Sequence, residues 1–148
     1  MPVDEAVQLI DRAPRSERTT VELAEAFALN SRSTDVQREA LRDEVAGRRV
    51  EWEIRVYEVG YADGRYTVTS QPIAVRNAEA VPLLRVQASV VPRTDDDHAL
   101  LRSVKTDDAI RLRGIVQEIR ARTVVAMVPA VVVGGGTDID AVETRSCT

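Results

Sequence analysis

The chain is poor in the residues from which redox, metal and nucleophilic sites are built. It holds one cysteine, Cys147, and one histidine, His98, in 148 residues. No intramolecular disulfide can form, which predicts a reducing, cytoplasmic compartment. Cys/His and Ser/His/Asp arrangements have almost nothing to build on, so the sequence reads as a non-enzyme without a cofactor. Lysine is scarce as well, with Lys105 alone beside 19 arginines. Long hydrophobic runs are missing. The longest, residues 123–133, is interrupted by Pro129 and falls far short of the roughly 20 residues that span a bilayer. The N-terminus opens with Asp4 and Glu5 in place of a positive region, which predicts no secretory leader.

What is present suits one domain with one core. Hydrophobic residues make up 44% and charged residues 30%, enough for a packed interior under a soluble surface. The net charge of −4 is unevenly spread: residues 1–46 carry −4, residues 47–133 carry +2 and residues 134–148 carry −2. The middle segment is only mildly basic, well short of the footprint of a dedicated nucleic-acid binder. These shifts coincide with changes of pattern. They predict a helical extension over 1–46, a β-barrel over 47–133 and a flexible polar tail over 134–148.

Within the extension, Val3, Ala6, Val7 and Ile10 repeat at helical spacing between Pro2 and Pro14. Thr19-Thr20-Val21-Glu22 and Thr34-Asp35-Val36-Gln37 are capping boxes, each opening a further helix. The first of these is expected to end near Asn30, the second at Gly47.

At Gly47 the period changes from 3.6 to 2. Val50, Trp52, Ile54 and Val56 alternate with Glu51, Glu53, Arg55 and Tyr57, the pattern of a half-buried strand. Alternation loosens at residues 57–59, where a bulge would let the strand curl. Asp63-Gly64 is a hairpin turn signal leading to a strand over 66–70. Residues 72–82 read as a loop or a poorly patterned strand, 83–91 as a third strand, and 94–104 as a short helix capped at Thr94. Strands over 109–117 and 123–128 follow, the last able to run past Pro129 to Val133. Three strands, a helix and two strands give a mainly β fold with N-terminal helices: a five-stranded OB-type β-barrel preceded by two or three α-helices.

Two stretches carry a resemblance. LLRSVKTDDAIRLRGIVQEIRARTVVAMVPAVVV places a charged turn before a strand, a glycine at Gly114, and a closing strand of small apolar residues. FALNSRSTDVQREALRDEVAGRRVEWEIRV places a helix and a glycine before a valine-rich strand. Over residues 20–133 this resembles the small OB-fold proteins of the tRNA-anticodon-binding-like family. KTDDAIRLRG departs from that family's pattern by holding Asp107 where a glycine is common. The resemblance implies the fold and a binding role, and supplies no catalytic set.

Site candidates are few. Arg111 and Arg113 share a face, and Arg120 and Arg122 flank the last hairpin. With Arg85 and Tyr57 they could form a stripe for single-stranded nucleic acid. The competing expectation is a solvated face on which the arginines pair with Glu118 and the aspartates, and Glu51 and Glu53 would repel phosphates. Trp52 has the parity of the core, whereas Tyr57 and Tyr61 could stack on a ligand, with a plain surface or helix-packing role as the favoured expectation. Asp95, Asp96, Asp97 and His98 read as a helix cap and not as a metal site, since consecutive aspartates diverge. Gly134-Gly135-Gly136 lacks the Lys-Ser/Thr of a phosphate loop and reads as a flexible exit. The leading functional expectation is a binding or adaptor module for a protein partner or for self-assembly, with Val7, Ile10, Phe27 and Val36 supplying apolar contacts. Single-stranded nucleic-acid binding is the alternative, and no membrane role is expected.

Overall fold

A computed structural model of the chain describes residues 2–135. The expected tail from residue 136 onward, with Cys147, lies outside the described residues. Within them run α1 (Val3–Arg12), α2 (Thr20–Phe27), α3 (Asp35–Val45), β1 (Arg49–Ala62), β2 (Arg65–Ser70), β3 (Arg85–Val90), α4 (Asp95–Ser103), β4 (Ala109–Arg120) and β5 (Val124–Gly135). The strands close into a barrel in the order β1-β2-β3-β5-β4. Neighbours are antiparallel except β3 and β5, which run parallel. With α4 between β3 and β4, this is the expected OB-type barrel. No helix among the described residues is long and apolar enough to cross a membrane.

Alternation decides which side of each strand faces inward. Val50, Trp52, Ile54 and Val56 of β1 are buried, while Glu51, Glu53 and Arg55 are exposed. Val68, Val86, Ala88, Val90, Ile110, Leu112, Val116, Val125 and Met127 complete the interior from the other strands. Trp52 belongs to this core, as its parity predicts, and its indole N–H donates to the Arg18 carbonyl at 2.9 Å.

β1 changes partners along its length. Residues 49–55 pair with β4 and residues 56–62 with β2. The register shift between Val56 and Glu58 is the bulge expected at residues 57–59, with Tyr57 as the extra residue. At the hairpin tip Asp63 and Gly64 have φ of 52° and 79°. Both lie in the left-handed region that a two-residue turn of the type I′ kind requires.

Helices close the barrel at opposite ends of β4. At one end Leu23, Ala24 and Phe27 of α2 and Val45 of α3 enter the core. Both predicted capping boxes form, Thr19 with Glu22 and Thr34 with Gln37. α2 stops at Phe27, short of the predicted end at Asn30, which instead turns the chain with φ 67°. At the other end Thr94 caps α4 by accepting from the Asp97 N–H at 3.1 Å, and Leu101 is buried against the strands. α1 lies against β5 and β4 and buries Ala6 and Ile10. That cover accounts for Val131, on the outward side of β5, being buried as well. β4 and β5 are both longer than the sequence predicts. Gly134 and Gly135 pair with Arg111 and Ile110, so the first two glycines of the expected exit complete a strand.

Gly114 marks the tightest approach in the barrel. A Cβ there would lie 2.7 Å from the Pro129 carbonyl oxygen, 2.8 Å from Met127 Cγ and 2.9 Å from Ala130 Cβ. The substitution Gly114→Ala is expected to destabilise the fold by about 1–3 kcal/mol, the range of overpacked cores. Urea unfolding checks this: the midpoint should fall at unchanged slope.

Candidate functional site

The predicted arginine stripe resolves into three separate places. On the outer face shared by β1 and β4, Arg113 is directly opposite Glu51 and Arg111 opposite Glu53. Glu51 accepts from Arg111 at 3.0 Å and from Arg113 at 3.1 Å, and Glu53 lies 3.7 Å from Arg111. The pairing partners are therefore the glutamates of the neighbouring strand, where Glu118 and the aspartates were expected. Cross-strand registration explains this, since opposite residues on one face approach within reach of their side chains. The hydrogen bond from Arg111 holds the Glu51 carboxyl below its usual range against the cost of desolvation, with Arg113 adding to the effect. Arg15 and Arg49 complete a polar recess of about 340 Å³ around these residues. Arg15 arrives there because residues 14–16 bridge to Arg49 beside β1, a contact with no local sequence signal.

At the β4–β5 hairpin the arginines serve the fold. Arg120 pairs with Glu118 at 2.8 Å. Arg122 donates to the carbonyls of Phe27 and Ala28, which terminate α2. Its guanidinium thus caps a helix instead of facing a ligand.

The third place brings two predicted residues together. Arg85 lies over the Tyr57 ring, 4.9 Å from its centroid, on the outside of β1 and β3. This is a cation–π contact of the kind worth about 0.5–1 kcal/mol at an exposed site. Tyr57 is 46% exposed.

A fourth surface escaped the sequence reading apart from Tyr57 and Tyr61. Beyond the bulge, the end of β1 stands away from β4 and faces α4 across a groove of about 510 Å³. Val59, Tyr61, Leu101 and Val104 give it apolar walls, and Arg102, Lys105 and Thr106 line it from the α4 side. Tyr61, 57% exposed, packs its ring 4.7 Å from that of Tyr66. The Tyr66 hydroxyl in turn lies 3.1 Å from His98 Nδ1 on α4. At the other end the Thr106 hydroxyl donates to the Tyr57 carbonyl at 3.0 Å. The loosened alternation at 57–59 was the available signal, yet nothing local shows which edge it leaves open.

The aspartates of α4 serve the helix and its approach. Asp97 accepts from the Arg93 N–H at 2.8 Å and pairs with the Arg93 side chain at 3.5 Å. Among the described residues no three His, Cys, Asp or Glu side chains gather as metal ligands.

Neutralising Glu51 tests how firmly the β1–β4 arginines are engaged. A carboxyl whose folded pKa is lowered stabilises the fold above its unfolded pKa and loses that contribution as pH falls through the folded value. Glu51→Gln is therefore expected to flatten the acid limb of the stability profile measured by thermal melts. It should also release Arg111 and Arg113, so that weak binding of single-stranded DNA appears at low salt.

No family model matches the chain, and no curated protein matches it either. Among solved structures it is similar to the crystal structure of the S. pombe Stn1-ten1 complex, with 10% identity and a TM-score of 0.33. The match covers 66% of this chain and 66% of that one, a little under two thirds of each, and a likeness of that size says nothing about function.

Proposed function

We propose that the chain is a non-enzymatic binding module of the OB type whose ligand is a protein partner, received in the groove between the end of β1 and α4. The supporting observation is the groove itself. Its walls of Val59, Tyr61, Leu101 and Val104 combine apolar surface with polar groups at the margin, the composition of a recognition site. The outer face of β1 and β4, by contrast, presents arginines already joined to carboxylates. A polyanion there would have to displace Glu51 from two guanidinium groups. In this reading residues 1–46 brace the barrel of 47–133, and the compartment is cytoplasmic. The likeness of residues 20–133 to the tRNA-anticodon-binding-like proteins belongs to the same proposal and stands on the sequence pattern.

One observation favours a second reading, single-stranded nucleic-acid binding. Tyr57 and Arg85 form a stacked pair on the outer face, the combination a base and its phosphate would use. Fluorescence anisotropy of labelled single-stranded DNA and RNA, at low and near-physiological salt, separates the two. The expected result is no saturation at tens of micromolar protein near physiological salt, on the order of the weak non-specific limit. Saturable binding that weakens with salt and disappears in Arg85→Glu would replace the protein-binding reading with the nucleic-acid one.

A further inference from the structure

Resting on the proposal that this groove receives a protein, we infer that its occupant binds as an added β-strand, an extended segment of alternating apolar and acidic residues pairing with the open edge of β1. The hydrogen-bond parity of the β1–β2 hairpin decides which edge each backbone group of β1 faces. Ala62 and Arg65 flank the two-residue turn, and the ladder continues through Tyr61↔Tyr66, Gly60↔Thr67, Val59↔Val68 and Glu58↔Thr69. The pair flanking such a turn exchanges backbone hydrogen bonds, and bonded and non-bonded pairs then alternate. Ala62, Gly60 and Glu58 therefore direct their N–H and C=O groups to β2. Val59 and Tyr61 direct theirs to the opposite edge.

On that edge β1 has lost its partner. Pairing with β4 ends at Arg55↔Ala109. Val56 exchanges bonds with residues 107 and 108, and the Tyr57 carbonyl accepts from Thr106. Among the described residues, no backbone group bonds to Val59 or Tyr61 on the groove side. Two N–H and two C=O groups are thus presented in strand geometry along the groove. An unpaired edge of this kind is a template for another strand. The usual defences are thin: residues 57–62, Tyr-Glu-Val-Gly-Tyr-Ala, contain no proline or lysine and one charge. Gly60 carries no side chain, and the space beside it is open, since a Cβ there would meet nothing within 4 Å.

The walls specify the side chains of the incoming strand. Val59 and Tyr61 lie on the same side of β1 as buried Tyr66 and Val68 of β2, the side that faces α4. Every second residue of an added strand would point to that side, towards Leu101 and Val104, and apolar residues suit those positions. Arg102 and Lys105 line the same groove, and among the described residues neither forms an ion pair with a carboxylate. Acidic residues between the apolar ones complement them. The open stretch of 58–62 corresponds to a segment of about 15–20 Å at the usual rise per residue.

The probe is a fluorescein-labelled decapeptide of alternating valine and glutamate, titrated against the full chain by anisotropy. Saturable binding is expected, weakened at least tenfold by Tyr61→Pro, which removes an N–H from the open edge and leaves the β2 ladder intact. Tyr61→Val, which keeps that N–H and removes only the ring from the groove wall, should weaken binding severalfold less than Tyr61→Pro does. Peptides N-methylated on alternate amides give a test that leaves the protein unaltered. Methyl groups on one parity should abolish binding, and on the other should leave it. Equal losses for Tyr61→Pro and Tyr61→Val, or equal tolerance of both methylated peptides, would overturn strand addition. If binding is then still lost in the double variant Arg102→Glu/Lys105→Glu, the groove stands as the protein site and only the strand mode falls. Absence of any binding by the decapeptide, or binding untouched by every variant, overturns both. Sedimentation of the protein alone covers the remaining occupant: a dimer that Tyr61→Pro converts to monomer would assign the edge to a second copy of this chain and overturn the peptide assignment.

Discussion

The change of partner in the middle of β1 is the constraint on which the rest of the structure depends. A strand of fourteen residues is too long to stay in register with one neighbour around so small a barrel. Its first half pairs with β4 and its second with β2, and the extra residue Tyr57 provides the bend between them. Closure follows, because β1 is then bonded on both sides of the ring. Two further consequences come with it. The outward residues of the first half meet those of β4, which creates the Glu51–Arg111–Arg113 cluster. The second half leaves β4 behind and opens an edge over α4. The charged face and the groove are products of the same bend.

The arginines show why position in the fold decides what a cation does. Arg38 is nearly buried and donates to the carbonyls of Ala26 and Ser33 and to Asp35. Arg42 lies over the Phe27 ring and donates to the carbonyls of Ile119 and Ala121. Arg122 reaches from the β4–β5 hairpin to the end of α2. Arg42 and Arg122 join the helices to one end of the barrel, and Arg38 ties α3 to the end of α2 and the loop after it. An arginine-rich composition therefore says little about polyanions until the backbone around each guanidinium is known.

Much of the fold was legible because its signals are local. Period two over residues 50–56, Asp63-Gly64 and the boxes at Thr19 and Thr34 each rest on neighbours within four residues, and each formed as read. Asp107 illustrates a departure that physical reasoning can absorb. It occupies a turn with φ 77°, where glycine is the easy choice and aspartate is tolerated because its short polar side chain can bond locally. Its carboxylate accepts from Gln71, and its carbonyl from Arg55. Strand ends were less legible: β4 and β5 run longer than their apolar patterns, since the ladder continues as long as each finds a partner. The candidate site was least legible of all. Parity placed Arg111 and Arg113 on one face correctly, but their partners lie sixty residues away on β1. Val36, read as an apolar contact, is 80% exposed, whereas Ile10 and Phe27 are buried.

The open edge of β1 also runs against what stability alone would favour. Burying Val59 and Tyr61 under a longer β4 would pair every backbone group of the strand and remove more apolar surface from water. The chain instead turns at residues 105–108 and enters β4 opposite Arg55. Lys105 and Asp108 fix that turn, the Lys105 N–H donating to the Asp108 carboxylate at 2.8 Å. The Asp107 N–H donates to the Val56 carbonyl at 2.7 Å and ends the pairing there. A turn held by this many bonds is not a strand that frayed. It stops β4 at a defined residue, leaves two residues of β1 unpaired on one side, and sets the α4 side chains across from them.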